Sequence, residues 1–239
     1  MSLSAYPWGK TGHRVVGQIA ENNLSKKARN AINEVLGGES LAIVSNYMDF
    51  IRSDNQYDHM APWHYCTIPD DKTYEQAGTP EEGDAIVTIN RLIAELKSKE
   101  FTDRDEAFAL KCLVHLIADV HQPLHVGNGS DRGGNDIKVK FFWKDSNLHR
   151  VWDSGMIDNQ QLSFTEWTDW LTSMEYEAND DLDIMTWVRE SKELRKQVYI
   201  IPEDQSISYK YEYANLETVK VRLYQAGIRL AGILNEIYG

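Results

Sequence analysis

Seven histidines, at positions 13, 59, 64, 115, 121, 125 and 149, are the residues of this chain whose surroundings suggest chemistry. His115 and Asp119 are four residues apart, and so are His149 and Asp153. On a helix that spacing sets both side chains on one face, one turn apart, within reach of a single ion. Imidazole nitrogen and carboxylate oxygen are the donors a catalytic zinc takes, whereas structural sites favour thiolates. A lone pair of this kind is more often a hydrogen bond on a helix surface, but His115 lies among Leu113, Val114, Leu116 and Ile117. A buried imidazole facing a buried carboxylate needs compensation, which a cation would supply. The spacing by itself leaves a metal site and a hydrogen-bonded pair both open.

Other histidines stand where they could join these pairs. His125 follows Pro123, where a loop can turn a third nitrogen back toward the cluster. His121, six residues from His115, points to another face and reads as a supporting or surface residue, with the surface favoured. His64 sits between Trp63 and Tyr65, and His13 follows Trp8-Gly9-Lys10-Thr11-Gly12. Each of those two alone would be judged a core or capping histidine.

Helices must position these groups, because apolar residues recur at spacings of three and four throughout. The pattern predicts helices over about 11–22, from a Ser25 cap to Gly37-Gly38, over 40–53, and from Thr79-Pro80-Glu81-Glu82 through Leu96. The segment 104–121 is the most apolar and reads as a central buried helix ended by Pro123. Further helices are expected over 146–157, 163–176, 181–199 and 212–238, with loops at Asp54 to Ala61 and Pro202 to Ser208. Only Ile137 to Trp143 reads as extended, with Lys144-Asp145 turning a hairpin, so the fold class is mainly α with one short β-hairpin near 137–145.

At 239 residues, 42% hydrophobic and 26% charged, the chain fits one domain with a substantial core. No apolar run approaches the roughly 20 residues of a membrane span. A net charge of −12 argues against nucleic-acid binding by a broad basic surface. It does not exclude a nucleic-acid enzyme, since bound divalent ions reverse the charge of their carboxylate ligands locally. Cys66 and Cys112 are too few for a disulfide scaffold or a thiolate zinc site. The start lacks the basic and apolar regions of a signal peptide.

Taken in order, Trp8-Gly-x-x-Gly-His13, Asp49 with Arg52, Trp63-His64-Tyr65, His115-Leu-Ile-Ala-Asp119-Val-His-Gln-Pro-Leu-His125, Gly133-Gly134-Asn135 and Asn147-Leu-His149-Arg-Val-Trp-Asp153 carry a resemblance. Together they are similar to the zinc-dependent single-strand nucleases of fungi and plants, the nuclease S1/P1 family. The resemblance implies a helical fold with three zinc ions, a single catalytic domain at 8–239 behind an N-terminal extension at 1–7, secretion or periplasmic export, and hydrolysis of single-stranded DNA and RNA to 5′-phosphates, with nucleotides as further substrates. Carried over residue by residue, Asp49, His64, His115 and Asp119 would hold the first ion. Trp8 and His13 would hold a second with Asp119 bridging, and His125, His149 and Asp153 a third. Arg52 would bind phosphate, Tyr65 would stack a base, and Asn135 would contact substrate or cap a turn. Asp49 could be a general base or a ligand, with ligand favoured.

Three departures qualify what carries over. Thr67 stands where fungal members have a base-reading aspartate, and the two cysteines do not match the family's disulfides. The family's leading tryptophan ligates through a free α-amino group, whereas the Trp8 nitrogen is in a peptide bond, so fewer zinc ions are expected in this chain. The alternatives are a zinc-dependent phospholipase C of the same fold and a non-catalytic helical binding protein stabilised by zinc. No membrane span and no protein partner are implied.

Overall fold

Residues 106–120 are apolar around nearly the whole helix circumference, and such a helix must be buried. In the computed structural model this segment is helix α7 (Glu106–Val120), with Asp105 accepting the Phe108 N–H at 2.8 Å as its cap and every residue from Cys112 to Val120 buried. The structure describes residues 8–174, 176–177 and 180–239. The expected extension at 1–7 lies outside the described residues.

In chain order the helices are α1 (Lys10–Asn22), α2 (Lys26–Val35), α3 (Leu41–Val44), α4 (Tyr47–Ile51), α5 (Tyr74–Ala77), α6 (Ala85–Ser98), α7, α8 (Leu148–Arg150), α9 (Met156–Asn159), α10 (Phe164–Ser173), α11 (Ile184–Val198) and α12 (Tyr209–Tyr238). Helices α1, α3, α4, α6, α11 and α12 pack around α7. At its 30 residues α12 spans about 45 Å and also lies along α1 and α2. The mainly α class read from the periodicity is what the chain adopts, with a continuous core among the described residues. Among the described residues no helix is long and apolar enough to cross a membrane.

Strands are short. β1 (Cys66–Thr67) pairs in parallel with β2 (Val126–Gly127). β3 (Lys138–Phe141) pairs antiparallel with β4 (Lys144–Asn147) and in parallel with β5 (Ser206–Ile207). The hairpin is present, but its turn is Phe142-Trp143 rather than Lys144-Asp145, both with positive φ, 44° and 66°. Two such residues in succession form the turn whose twist matches the strands. β1, β2 and β5 are two-residue pairings too short to leave an alternating pattern.

Several predicted boundaries move for local reasons. The long helix does not open at Thr79: Gly83 has φ +80° and Asp84 caps α6, accepting the Val87 N–H at 3.0 Å. The single helix expected over 40–53 is broken between α3 and α4, where the Ser45 carbonyl accepts a bond from the His115 ring at 2.6 Å. Asp54 to Ala61 is not a loop: a 3-10 segment, Asn55–His64, is capped by Asp54, whose Oδ1 accepts the Gln56 N–H at 3.1 Å. The helix expected over 146–157 is α8, a wider π turn at Val151–Gly155, and α9. Cys66 and Cys112 are both buried and free.

Candidate metal centre

Helix α7 presents His115 and Asp119 on one face, with His115 Nε2 3.4 Å from Asp119 Oδ2 and both side chains fully buried. The neighbouring elements bring the rest to this pair. From α1, His13 Nε2 lies 3.2 Å from Asp119 Oδ1. Its ring stacks on His115 with centroids 4.1 Å apart. At the end of the 3-10 segment, His64 Nδ1 lies 3.0 Å from Asp119 Oδ2 and 3.2 Å from His115 Nε2. From α4, Asp49 completes a group in which one donor atom each of Asp49, His64 and His115 lie within 4.8 Å of one another. Asp119 thus turns one oxygen toward His13 and the other toward His64 and His115.

A second group forms where α7 ends. His149 on α8 and Asp153 in the π turn are one turn apart, with Nε2 3.1 Å from Oδ2. His125, in the 3-10 turn Pro123–His125, places Nε2 3.7 Å from Asp153 Oδ1. Tetrahedral zinc with donors at 2.0–2.1 Å has edges of about 3.4 Å, close to these separations.

Four of the rings are aimed by the backbone. His115 Nδ1 bonds to the Ser45 carbonyl, His125 Nδ1 to that of His64 and His149 Nδ1 to that of Gly133, each at 2.6 Å. His13 Nδ1 meets the carbonyl of Trp8. A carbonyl only accepts, so each Nδ1 carries a hydrogen and Nε2 is the ring nitrogen left to face the cluster, the usual arrangement behind metal-binding imidazoles. Gly133 shows why the paired glycines are needed: its φ is +60°, and a Cβ there would stand 2.4 Å from the Leu124 carbonyl oxygen.

The inward-facing atoms lack partners within the protein. Nε2 of His13, His125 and His149, and one oxygen each of Asp49, Asp119 and Asp153, are buried without a hydrogen bond. Buried polar atoms are normally satisfied, and here nitrogen and oxygen donors left over converge on shared points. That donor set fits divalent cations of the zinc type. Electrostatics agrees. Burial alone would raise the Asp119 carboxyl, but His115, His125, His13 and His64 hold it well below the usual range. Burial would lower His125, yet Asp119 and Asp153 push it up to about 9. Burial raises Asp49, with His13 and His64 opposing.

The remaining predicted residues are placed unevenly. Asp49, Asn135, His149 and Asp153 line a cleft of about 1170 Å³ that opens onto the cluster. The Asn135 amide donates to the Arg132 carbonyl at 2.9 Å, so it caps the turn as well as facing the cleft. Arg52 lies 3.7 Å from Asp49 Oδ1. Tyr65 directly follows His64 and is 46% exposed, and neither it nor Arg52 belongs to the cleft lining. Trp8 is fully buried against α1. His121 is not at the surface: it is fully buried, with Nε2 3.1 Å from an Arg229 guanidinium nitrogen. Sequence reasoning missed Gln122, also fully buried, whose amide donates to Asp153 Oδ1 at 2.5 Å. Its place between two histidines just past a helix end was the available signal.

Comparison with known proteins gives a consistent result. Residues 8–239 match the family model described as S1/P1 Nuclease. Endonuclease 4 of Arabidopsis thaliana is 32% identical over 97% of this chain and 89% of its own length. Endonuclease 2 of the same plant is 28% identical over 97% and 91%. Nuclease P1 of Penicillium citrinum is 26% identical over 97% and 98%.

Proposed function

The chain belongs to the S1/P1 nuclease family, hydrolases of nucleic acid, and from that premise we propose a zinc-dependent endonuclease that cuts single-stranded DNA and RNA, leaves 5′-phosphates and also takes 3′-nucleotides. The observation that carries this reading is the convergence of six buried, unbonded imidazole and carboxylate atoms beside an open cleft. Residues 8–239 act as the catalytic domain. Asp49, His64, His115 and Asp119 hold one zinc, Trp8 and His13 with the shared Asp119 a second, and His125, His149 and Asp153 the third. Bound zinc supplies Lewis acidity toward a phosphoryl oxygen and brings the pKa of water toward neutrality.

The protein's own groups do the rest. Asp119 turns one oxygen toward His13 and the other toward His64 and His115, so it would serve both of the first two sites. Asp49 serves as a ligand. Arg52, with its planar fork of donors, pairs with a phosphate oxygen beside Asp49. Asn135 meets the substrate from the cleft lining, and the half-exposed Tyr65 ring offers a face to an unpaired base, worth about 1–3 kcal/mol. A phosphate of a stacked duplex does not reach donors recessed among helices, which accounts for single-strand preference. The Trp8 nitrogen is an amide behind seven residues, so the site it shares with His13 is weak in this chain and gains its amine once processing exposes Trp8. An N-terminal ligand of that kind fits a secreted or periplasmic protein.

The test is hydrolysis of single-stranded DNA by protein processed to begin at Trp8, stripped with chelator and given back zinc or magnesium. Zinc-restored cleavage to 5′-phosphates supports the reading. Zinc uptake with no cleavage of DNA or RNA overturns it.

A further inference from the structure

We propose that Phe50, with Ile43 in the same cleft lining, is a base-stacking subsite for the nucleotide next to the one being cleaved, so that the enzyme grips a strand and not a lone nucleotide. The inference rests on the nuclease reading and deepens it. Phe50 is 80% exposed and Ile43 53% exposed, yet both line the cleft onto which the candidate metal cluster opens. On α4, Met48 and Ile51 are buried and lock the helix to the core. Helix geometry then turns Phe50 to the opposite side. The fold gains little from a ring left in water, while the backbone sets it directly after Asp49, a member of the cluster.

The cleft walls say what the ring faces. Lys10, Arg14, Lys138 and Arg150 line the same cleft; of its acids, Asp49 and Asp153 belong to the candidate metal groups, Glu39 is paired with Lys111 at 2.7 Å, and Asp145 and Asp158 leave the cations in excess. Cations beside an exposed aromatic are the two ingredients of single-strand binding: phosphates follow the charge, and a base lies on the ring. Stacking uses the π face common to all bases, so this subsite is tolerant of sequence. Tyr47 differs from Phe50, because Lys111 sits 5.2 Å over its ring and Phe108 packs edge-on at 6.0 Å, so its faces are already in use.

The experiment uses the zinc-loaded protein with oligothymidylate and, as a one-base competitor, thymidine 3′-phosphate. Phe50→Ala should raise KM for the strand roughly 5- to 150-fold, the equivalent of one lost stack, and weaken the one-base competitor far less. Phe50→Trp should restore KM, and its emission should change on adding a phosphorothioate oligothymidylate that resists cleavage. If strands are cut and KM is unmoved in Phe50→Ala, the subsite is wrong and the nuclease stands. A Phe50→Trp emission that ignores the strand also overturns it, whether or not anything is cut. If no strand is cut and that emission responds to phosphatidylcholine vesicles, both readings fall and a phospholipase replaces them.

Discussion

Replacing Gln122 with leucine nearly keeps its volume and removes two buried hydrogen bonds. Its Nε2 donates to Asp153 Oδ1 and its Oε1 accepts the Leu124 N–H, each at 2.5 Å. The first bond is to a carboxylate and is worth about 1.5–3 kcal/mol; losing the second leaves a buried N–H unpaired at a cost of about 1–3 kcal/mol. The two terms should appear in different measurements. Asp153 holds Oδ2 3.1 Å from His149 Nε2 and Oδ1 3.7 Å from His125 Nε2, a geometry that rotation of the carboxylate destroys. Assigned wholly to orientation, the first term lowers zinc affinity at this group about 10- to 150-fold at 1.4 kcal/mol per decade, in line with the 10- to 100-fold typical of groups behind metal ligands. The second term lowers the melting temperature by roughly 2–10 °C for a chain of this size. Competition with a chelator of known affinity reads the first, and thermal unfolding of the metal-free protein reads the second. An unchanged zinc affinity alongside the lowered Tm would show that Gln122 only fills and ties the core, and the positioning argument would fail.

Two further outcomes follow from the buried charges. Zinc needs neutral imidazole, and His125 in the metal-free protein is pushed up to about 9, so at pH 7 zinc uptake should expel about one proton from it, with apparent affinity falling about tenfold per pH unit below 9; titration calorimetry in buffers of different ionisation enthalpy checks this, and a heat independent of buffer refutes it. Because that pKa is raised over the ordinary 6.5, the same group stabilises the metal-free fold below pH 6.5 and the contribution disappears as pH rises through 9. Glu190 bridges Arg222 at 2.5 Å and Arg229 at 2.6 and 2.8 Å, two guanidinium groups at 2% exposure or less; Glu190→Gln should cost about 3–5 kcal/mol in denaturant unfolding, and a loss under 1 kcal/mol would show that the arginines find other partners.

The helices were legible because burial repeats at their period, and the two ligand pairs were legible because a spacing of four survives any tertiary arrangement of an intact helix. What the periodicity misplaced falls largely at bonds that only the folded chain makes. The helix predicted over 40–53 stops at Ser45, whose carbonyl holds His115 Nδ1. His64 ends the 3-10 segment that replaces the loop expected over Asp54 to Ala61, and its carbonyl holds His125 Nδ1. Gly133, in a left-handed turn, offers its carbonyl to His149 Nδ1. His121 looked like a surface residue because its partners, Arg222 and Arg229, come from a helix about 100 residues further on.

These interruptions have a common cause. A carbonyl inside a helix already accepts its own i+4 amide, whereas one at a helix end, in a turn or at the end of a 3-10 segment lacks that partner and is more readily turned to an imidazole. Of the four imidazoles aimed at the cluster by carbonyls, His115, His125 and His149 take theirs from irregular backbone around α7, at Ser45, His64 and Gly133. Local rules fail where the fold diverts backbone groups to the site. A substitution that repaired one of these breaks, lengthening α3 through Ser45 for example, would make a better local helix while setting the Asp49 amide in competition with His115 for the Ser45 carbonyl.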